Sequence, residues 1–247
     1  MVSIQGISKT FREGLSSRKV QALQRLTLEI ASGEVFGFLG PNGAGKSTSI
    51  KVLLNLIRPD AGKATILDRD VSDRRVRRQV GYLPENPYFY DYLNADELLW
   101  FGGRSSGMAA DDLDHKIPGL LERVGLLEAR KRPLRTYSKG MVQRAGLALA
   151  LIHDPAVVIL DEPMSGLDPV GRKMVGDLIL DLKHQGKTVF FSSHILNDIE
   201  RFCDRIGIIA GGRLRLVGEL DKVVPAGETL EELFLRAIAD DFGGLPS

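Results

Sequence analysis

What this sequence lacks narrows it before any motif is read. It carries one cysteine, Cys203, among 247 residues, so no disulfide can form within the chain. Cys203 follows Ile199-Glu200-Arg201-Phe202, and the setting predicts a small buried hydrophobe in a reducing compartment. An excess of either charge is also missing: 33 basic side chains against 32 acidic ones leave +1. That balance gives no global argument for a nucleic-acid partner, and none is expected. No apolar run approaches the ~20 residues that span a bilayer. The longest, Gly146 to Leu160, is cut by His153-Asp154-Pro155. Met1 leads into Val2-Ser3-Ile4-Gln5 without a basic flank and apolar segment, so no signal peptide is expected and the chain is expected to be soluble. There is no internal repeat, no low-complexity tract and no His, Cys and carboxylate cluster with zinc spacing. Apolar residues at 43% and charged ones at 26% are ordinary globular values. The length suits one large domain, or a core with a subdomain.

What is present begins with Gly40-Pro41-Asn42-Gly43-Ala44-Gly45-Lys46-Ser47-Thr48. An apolar run, Val35 to Leu39, precedes it and reads as a buried strand. Ile50, Leu53, Leu54 and Ile57 follow at the spacing of one helix face. Strand, glycine turn and helix is the setting in which G-x-x-x-x-G-K-[ST] becomes a phosphate-binding loop. Glycines let backbone N–H groups converge on an anion, and the helix start adds its free N–H groups and positive dipole end. Lys46 can reach the outer phosphates, and the Ser47 hydroxyl can ligate a Mg²⁺ that holds phosphate oxygens. A glycine-rich turn that binds nothing would leave Lys46-Ser47 and both flanks unexplained.

The rest of the chain alternates strands and helices. Val2 to Ile7 predicts a short strand ended by Ser8-Lys9-Thr10, and Arg12 to Lys19 an exposed loop. Leu26, Leu28 and Ile30 alternate with polar residues as in a half-buried strand. Ala64 to Leu67 and Val80 to Leu83 predict two more strands. Between them Arg74, Arg75, Arg77 and Arg78 form a basic cluster, read as a solvated face rather than a nucleic-acid site. From Asn86 to Ile152 the runs are helical: Leu93 to Phe101, Asp111 to Val124, and Lys139 to Ile152. Gly102-Gly103 and Pro133 read as breaks between them. An aromatic group, Tyr88-Phe89-Tyr90 with Tyr92, Trp100 and Phe101, is expected to be partly core, with any exposed share available for docking. Strands are expected again at Ala156 to Leu160, Thr188 to Phe191, Arg205 to Ala210 and Leu214 to Val217. Helices are expected at Lys173 to Lys183, Ile195 to Phe202 and Thr229 to Ile238. This is an α/β core with a mostly parallel sheet and an inserted helical subdomain.

Ligands of such sheets bind outside the carboxyl ends of the strands. Asp161 ends a buried strand, where a carboxylate needs a nearby cation such as Mg²⁺. Glu162 points differently and is placed to take a proton from an attacking water, which is worth about 10²–10⁴-fold in rate. A helix N-cap would account for Asp161-Glu162-Pro163 but not for the apolar strand aimed at it. Of the four histidines, His194 alone ends a buried strand; His115, His153 and His184 read as surface or core residues.

These residues resemble the ATP-binding subunit of ABC transporters, from about Ile4 to Gly218. Gly40 to Thr48 is similar to its Walker A loop, and Val157 to Glu162 to its Walker B strand with the catalytic glutamate. Tyr137-Ser138-Lys139-Gly140-Met141-Val142-Gln143-Arg144 resembles the signature motif, usually L-S-G-G-Q. Ser165-Gly166-Leu167-Asp168 resembles the D-loop, and His194 the switch histidine that contacts the γ-phosphate. The resemblance implies a P-loop NTPase, RecA-like core with a small antiparallel N-terminal β subdomain. Its divisions would be core residues 1–86, a helical subdomain at 87–152, core again at 153–218, and a tail at 219–247. It implies ATP and Mg²⁺ as ligands, with Ser47, Asp161 and Glu85 at the metal. Phe11 stands where the family stacks an aromatic on adenine; ordinary burial is the alternative. Two subunits would pair head to tail, each ATP lying between one Walker A loop and Ser138, Lys139 and Gly140 of the other. The partners implied are a second ATPase subunit, expected to be a copy of this chain, and a transmembrane permease; the chain itself would be cytoplasmic, peripheral on the cytoplasmic face of the cell membrane. Two departures stand out: Glu85 where many relatives have the Q-loop glutamine, and Lys139 and Met141 in the signature. With Leu230-Glu231-Glu232-Leu233-Phe234, they resemble the branch that powers export permeases for drugs, lipids and polysaccharides. The alternative in another class, a non-transport ABC protein acting on nucleic acid or ribosomes, usually has two modules, a coiled-coil insertion or cysteine clusters, none of which is present.

Overall fold

The structure, a computed structural model, describes residues 1–12, 19–225 and 227–239. The chain divides into two compact units, one made of Met1–Arg77 with Phe190–Ser247 and the other of Arg78–Val189.

The first unit opens with β1 (Val2–Arg12) and β2 (Lys19–Ile30). They pair antiparallel from Val2↔Ile30 to Arg12↔Lys19, with register shifts between. Leu26, Leu28 and Ile30 face inward and Thr27 and Glu29 outward, as the alternation predicts. β1 does not end at Ser8-Lys9-Thr10. It continues because β2 offers Leu23, Gln21 and Val20 as partners for Lys9, Thr10 and Phe11, and backbone pairing is indifferent to how polar the side chains are. Of the loop expected at Arg12 to Lys19, residues 13–18 lie outside the described residues. β3 (Val35–Leu39) is wholly buried and leads into α1 (Lys46–Leu53). α1 ends before Leu54 and Ile57, and Ile50, Val52 and Leu53 supply its buried face. β4 (Ala61–Ile66) and β5 (Arg69–Asp70) complete an antiparallel sheet of order β2-β1-β4-β5. α2 (Arg74–Arg77) is one turn with only Val76 buried. Its arginines are a solvated face: Arg75 pairs with Asp73 at 2.7 Å and, through that hydrogen bond first, holds the Asp73 carboxyl well below the usual range.

In the second unit β6 (Val80–Leu83) runs parallel to β7 (Val157–Asp161), in register from Val80↔Val157 to Leu83↔Leu160. Between them come α3 (Ala95–Ser105), α4 (Ala110–Arg123) and α5 (Lys139–Leu151), and after them α6 (Pro169–His184). Asn94 starts α3 with a capping box: its side chain accepts from Glu97 N at 3.0 Å and its own N–H donates to Glu97 Oε2 at 2.9 Å. Gly102 and Gly103 do not break this helix; they lie inside it. A Cβ at Gly102 would sit 2.2 Å from Leu149 of α5, and one at Gly103 2.2 Å from Leu113 of α4. The pair is therefore where α4 and α5 come close, which offsets the ~1 kcal/mol each glycine costs a helix. The aromatic group is less buried than expected: Tyr88 is 94% exposed, and Tyr90, Tyr92, Trp100 and Phe101 are exposed too.

The chain then returns to the first unit through β8 (Thr188–Ser193), α7 (Leu196–Phe202), β9 (Arg205–Ala210) and β10 (Arg213–Glu219). Here β3 lies between β8 and β9, parallel to β9, while β10 closes antiparallel on β9. Phe36 and Phe38 pack against Phe190 at 6.0 and 5.4 Å between ring centroids. Cys203 is half-buried rather than fully buried, and a Cβ at Gly37 would meet its Sγ at 2.6 Å. After α8 (Leu220–Val223), α9 (Leu230–Ile238) is capped by Thr229 and Glu232 and buries Leu230, Leu233 and Ile238. The parallel pairs, the separate antiparallel sheet and the helical segment give the α/β class that the sequence predicts. Among the described residues no helix is long and apolar enough to cross a membrane.

Candidate functional site

In the first unit the phosphate loop is shaped by close backbone packing. A Cβ at Gly40 would lie 2.4 Å from the Ile209 carbonyl, and one at Gly45 2.7 Å from that of Ala22. Gly45 also has φ 110, which side chains rarely adopt. Gly43 has open space around it and is required by its φ of 80 alone. The loop is tied by Ala44 N to Pro41 O at 3.1 Å and by Gly212 N to Ala44 O at 3.0 Å. Ala44 is buried, Pro41 half-buried and Asn42 exposed. Gly45 begins α1 without a side-chain cap, and the first turn of the helix holds no acidic residue to offset its positive dipole end. Lys46 is 7% exposed, and its Nζ donates to the carbonyls of Gly40 and Pro41. Ser47 and Thr48 are half-buried beside it. A glycine cradle with an ammonium and hydroxyls fits a nucleotide's phosphates. A Ser47 hydroxyl and a carboxylate are the hard oxygen donors that Mg²⁺ takes.

His194 follows β8 directly and is exposed; the turn beneath it is held by Ile195 N donating to Ser193 Oγ at 2.9 Å. Phe11, near the end of β1, is 40% exposed, so ordinary burial does not describe it. Lys9 Nζ lies 5.6 Å from its ring centroid and pairs with Asp60 at 2.9 Å.

In the second unit, the β6–β7 register sends Glu85 and the Asp161-Glu162 pair off the same strand ends. Glu85 is exposed, while Asp161 and Glu162 are 4% and 8% exposed. Glu162 has φ 50, a left-handed conformation that costs a non-glycine residue about 1–2 kcal/mol. Its carbonyl accepts from Ser165 N at 3.0 Å, closing the turn. Tyr82 of β6 is pushed up to about 12, by burial first and then by the Asp161 carboxylate. Ser138 caps α5, accepting from Met141 N at 3.2 Å. Ser138 and Lys139 are exposed and Gly140 half-buried. Gly140 sits close to Leu167, and the Lys139 stem lies over Gly166, where a Cβ would be 3.0 Å away. Two groups escape a reading by motif alone. Gln143, 1% exposed, donates to Pro163 O at 3.4 Å, and Arg144 Nη1 donates to the carbonyls of Val124 and Gly125 at the end of α4. The available signal is a polar pair inside an otherwise apolar helix run. Among the described residues no three His, Cys, Asp or Glu side chains form a metal group.

A buried strand, a backbone-packed glycine loop and a lysine and hydroxyl at a helix start define a P-loop nucleotide-binding protein. Comparison with known proteins narrows the class. The ABC transporter family profile matches residues 23–165. An uncharacterized ABC transporter ATP-binding protein of Synechocystis is 50% identical over 91% of this chain, and the match spans only 64% of that relative's length. The lantibiotic transport ATP-binding protein SrtF of Streptococcus pyogenes is 37% identical over 96% of this chain and 97% of its own. The Nod factor export ATP-binding protein I of a Rhizobium strain is 34% identical over 99% and 77%. A solved ATP-binding subunit of an ABC transporter superposes with TM-score 0.84 at 31% identity, covering 96% of this chain and 98% of that one. A dimeric bacterial ABC transporter cassette gives 0.82 at 25%, covering 89% and 99%. This chain belongs to the ABC transporter family.

Proposed function

We propose that this chain binds and hydrolyses ATP as one of a pair of subunits and drives export through a separate transmembrane permease. The observation that carries the reading is the phosphate loop, whose glycines are fixed by backbone contact and whose buried Lys46 opens α1. In this reading the backbone N–H groups of Gly43 to Lys46 and the Lys46 ammonium hold the outer phosphates. Ser47, Asp161 and Glu85 would hold Mg²⁺, which when bound supplies positive charge against the phosphates. The Glu162 carboxylate takes the proton of the attacking water, and His194 contacts the γ-phosphate. Phe11 stacks on adenine. Ser138, Lys139 and Gly140 bind the ATP held by a second copy, so one chain has the parts of two half-sites and completes neither. The likeness to a dimeric cassette supports the pairing.

Export is supported by the relatives named for lantibiotic transport and Nod factor export. The permease contact is assigned to the exposed aromatics Tyr88, Tyr90, Tyr92, Trp100 and Phe101. The chain would then work at the cytoplasmic face of the membrane. Its divisions would be core residues 1–86 and 153–218, a helical subdomain at 87–152 and a tail at 219–247.

Glu162→Gln keeps the shape and removes the base. Hydrolysis should fall by about 10²–10⁴-fold with ATP binding retained. Turnover at the wild-type rate in that variant would end the assignment.

A further inference from the structure

We infer that Gln143 is a positioning residue for Glu162, acting through the carbonyl of Pro163. The inference rests on the proposed role of Glu162 as general base. Gln143 lies in the second turn of α5, 1% exposed and followed by buried Ala145, Gly146 and Leu147. An amide there is costly unless it is bonded. Its Nε2 donates to Pro163 O at 3.4 Å, across 20 residues of chain. Pro163 is itself buried, so that carbonyl has little recourse to water.

The consequence falls one residue earlier. Glu162 is held at φ 50, and a strained residue of this kind persists only where the structure fixes it from both sides. On one side β7 is locked in register with β6 through Leu160↔Leu83. On the other, the chain is fixed by Ser165 N donating to Glu162 O at 3.0 Å and by the Gln143 amide. The Gln143 bond ties this turn to another element, α5. Without it, the Pro163 carbonyl can turn and the Glu162 backbone can relax toward an unstrained region. The carboxylate then shifts, and a general base must stay within hydrogen-bond reach of the water it deprotonates.

Steady-state ATP hydrolysis by the full chain tests this with three variants. Gln143→Leu keeps the bulk and removes the donor. Its kcat should fall between about ten- and a hundred-fold, as for a catalytic group displaced by about 1 Å, while KM for ATP stays within about two-fold. Gln143→Glu donates only while its carboxyl is protonated. Its activity relative to wild type should therefore fall as pH rises through that titration, and the Gln143→Leu ratio should stay flat. The pH dependence of the Gln143→Glu ratio needs only that variant and wild type, and survives a failure of Gln143→Leu to fold. In a Glu162→Gln background, adding Gln143→Leu should reduce the residual rate no further. A wild-type kcat in Gln143→Leu, a loss confined to KM, a flat Gln143→Glu ratio or additive losses would each overturn the inference. Wild-type turnover in Glu162→Gln alone would instead remove the base assignment, whatever Gln143 does.

Discussion

The two helix starts that carry the glycine motifs are built on different principles. At α1 the loop is packed at its two ends: Gly40 and Gly45 press against backbone carbonyls, Lys46 is buried, and the N-cap residue Gly45 has no side chain to cap the helix. At α5 the start is open: Ser138 caps the helix itself, Ser138 and Lys139 are exposed, and Gly140 meets only the tip of a leucine closely. Both are helix N-termini able to attract an anion. The first is shaped by packing within its own unit and has no acidic residue in its first turn. The second already satisfies one N–H from within, and its first two residues, Ser138 and Lys139, are exposed. In the proposed function that open start meets the phosphate of a second copy.

The sharpest way to break that contrast is a single methyl group. Gly45→Ala meets the Ala22 carbonyl at 2.7 Å in a backbone with φ 110. It should cost about 2–3 kcal/mol of stability and abolish nucleotide binding. Gly140→Ala meets a flexible Leu167 methyl at 3.3 Å and should stay within about 1 kcal/mol of wild type. Thermal unfolding with and without ATP reads both, and equal losses would erase the distinction. A smaller effect is expected from Ser138→Ala, which removes the cap of α5 and about 1 kcal/mol. ATP binding by the single chain, read by nucleotide fluorescence, should not change. The smallest effect is at high pH. Tyr82 is raised to about 12, above the ~10 of an unfolded tyrosine. A raised folded pKa means its contribution to stability is complete below about 10 and is lost as pH rises toward 12. Asp161→Asn should lower the tyrosinate midpoint, as followed by absorbance. A midpoint that does not move would show that Tyr82 senses burial alone.

The phosphate loop was legible because everything it needs is contiguous: strand, glycines, Lys46 and Ser47 lie within one stretch. The same holds for the Val157 to Asp161 strand and for the capped start of α9. What sequence pattern missed depends on neighbours distant in the chain. Gly102-Gly103 resembles a break until Leu113 and Leu149 are seen against it. β1 resembles a short strand because its second half is polar, yet its length is set by β2. The aromatics near Tyr88 resemble core by composition and are mostly exposed. The φ of Glu162 leaves no local signal, and the polar Gln143 inside an apolar helix run does not reveal its partner Pro163, twenty residues on.

In the proposed function each chain carries one half of each of two sites, and only a second copy completes either. Mixing tests it directly. Lys46→Ala removes the ammonium of the phosphate loop, and Gly140→Asp puts an anion where the open helix start would meet phosphate. Alone, each protein should hydrolyse almost no ATP, because both sites of its pair are broken. Mixed, the intact loop of one and the intact α5 start of the other can form one whole site, and hydrolysis should return in the mixture. Activity that stays at the level of the separate variants, with both proteins folded, would contradict the account.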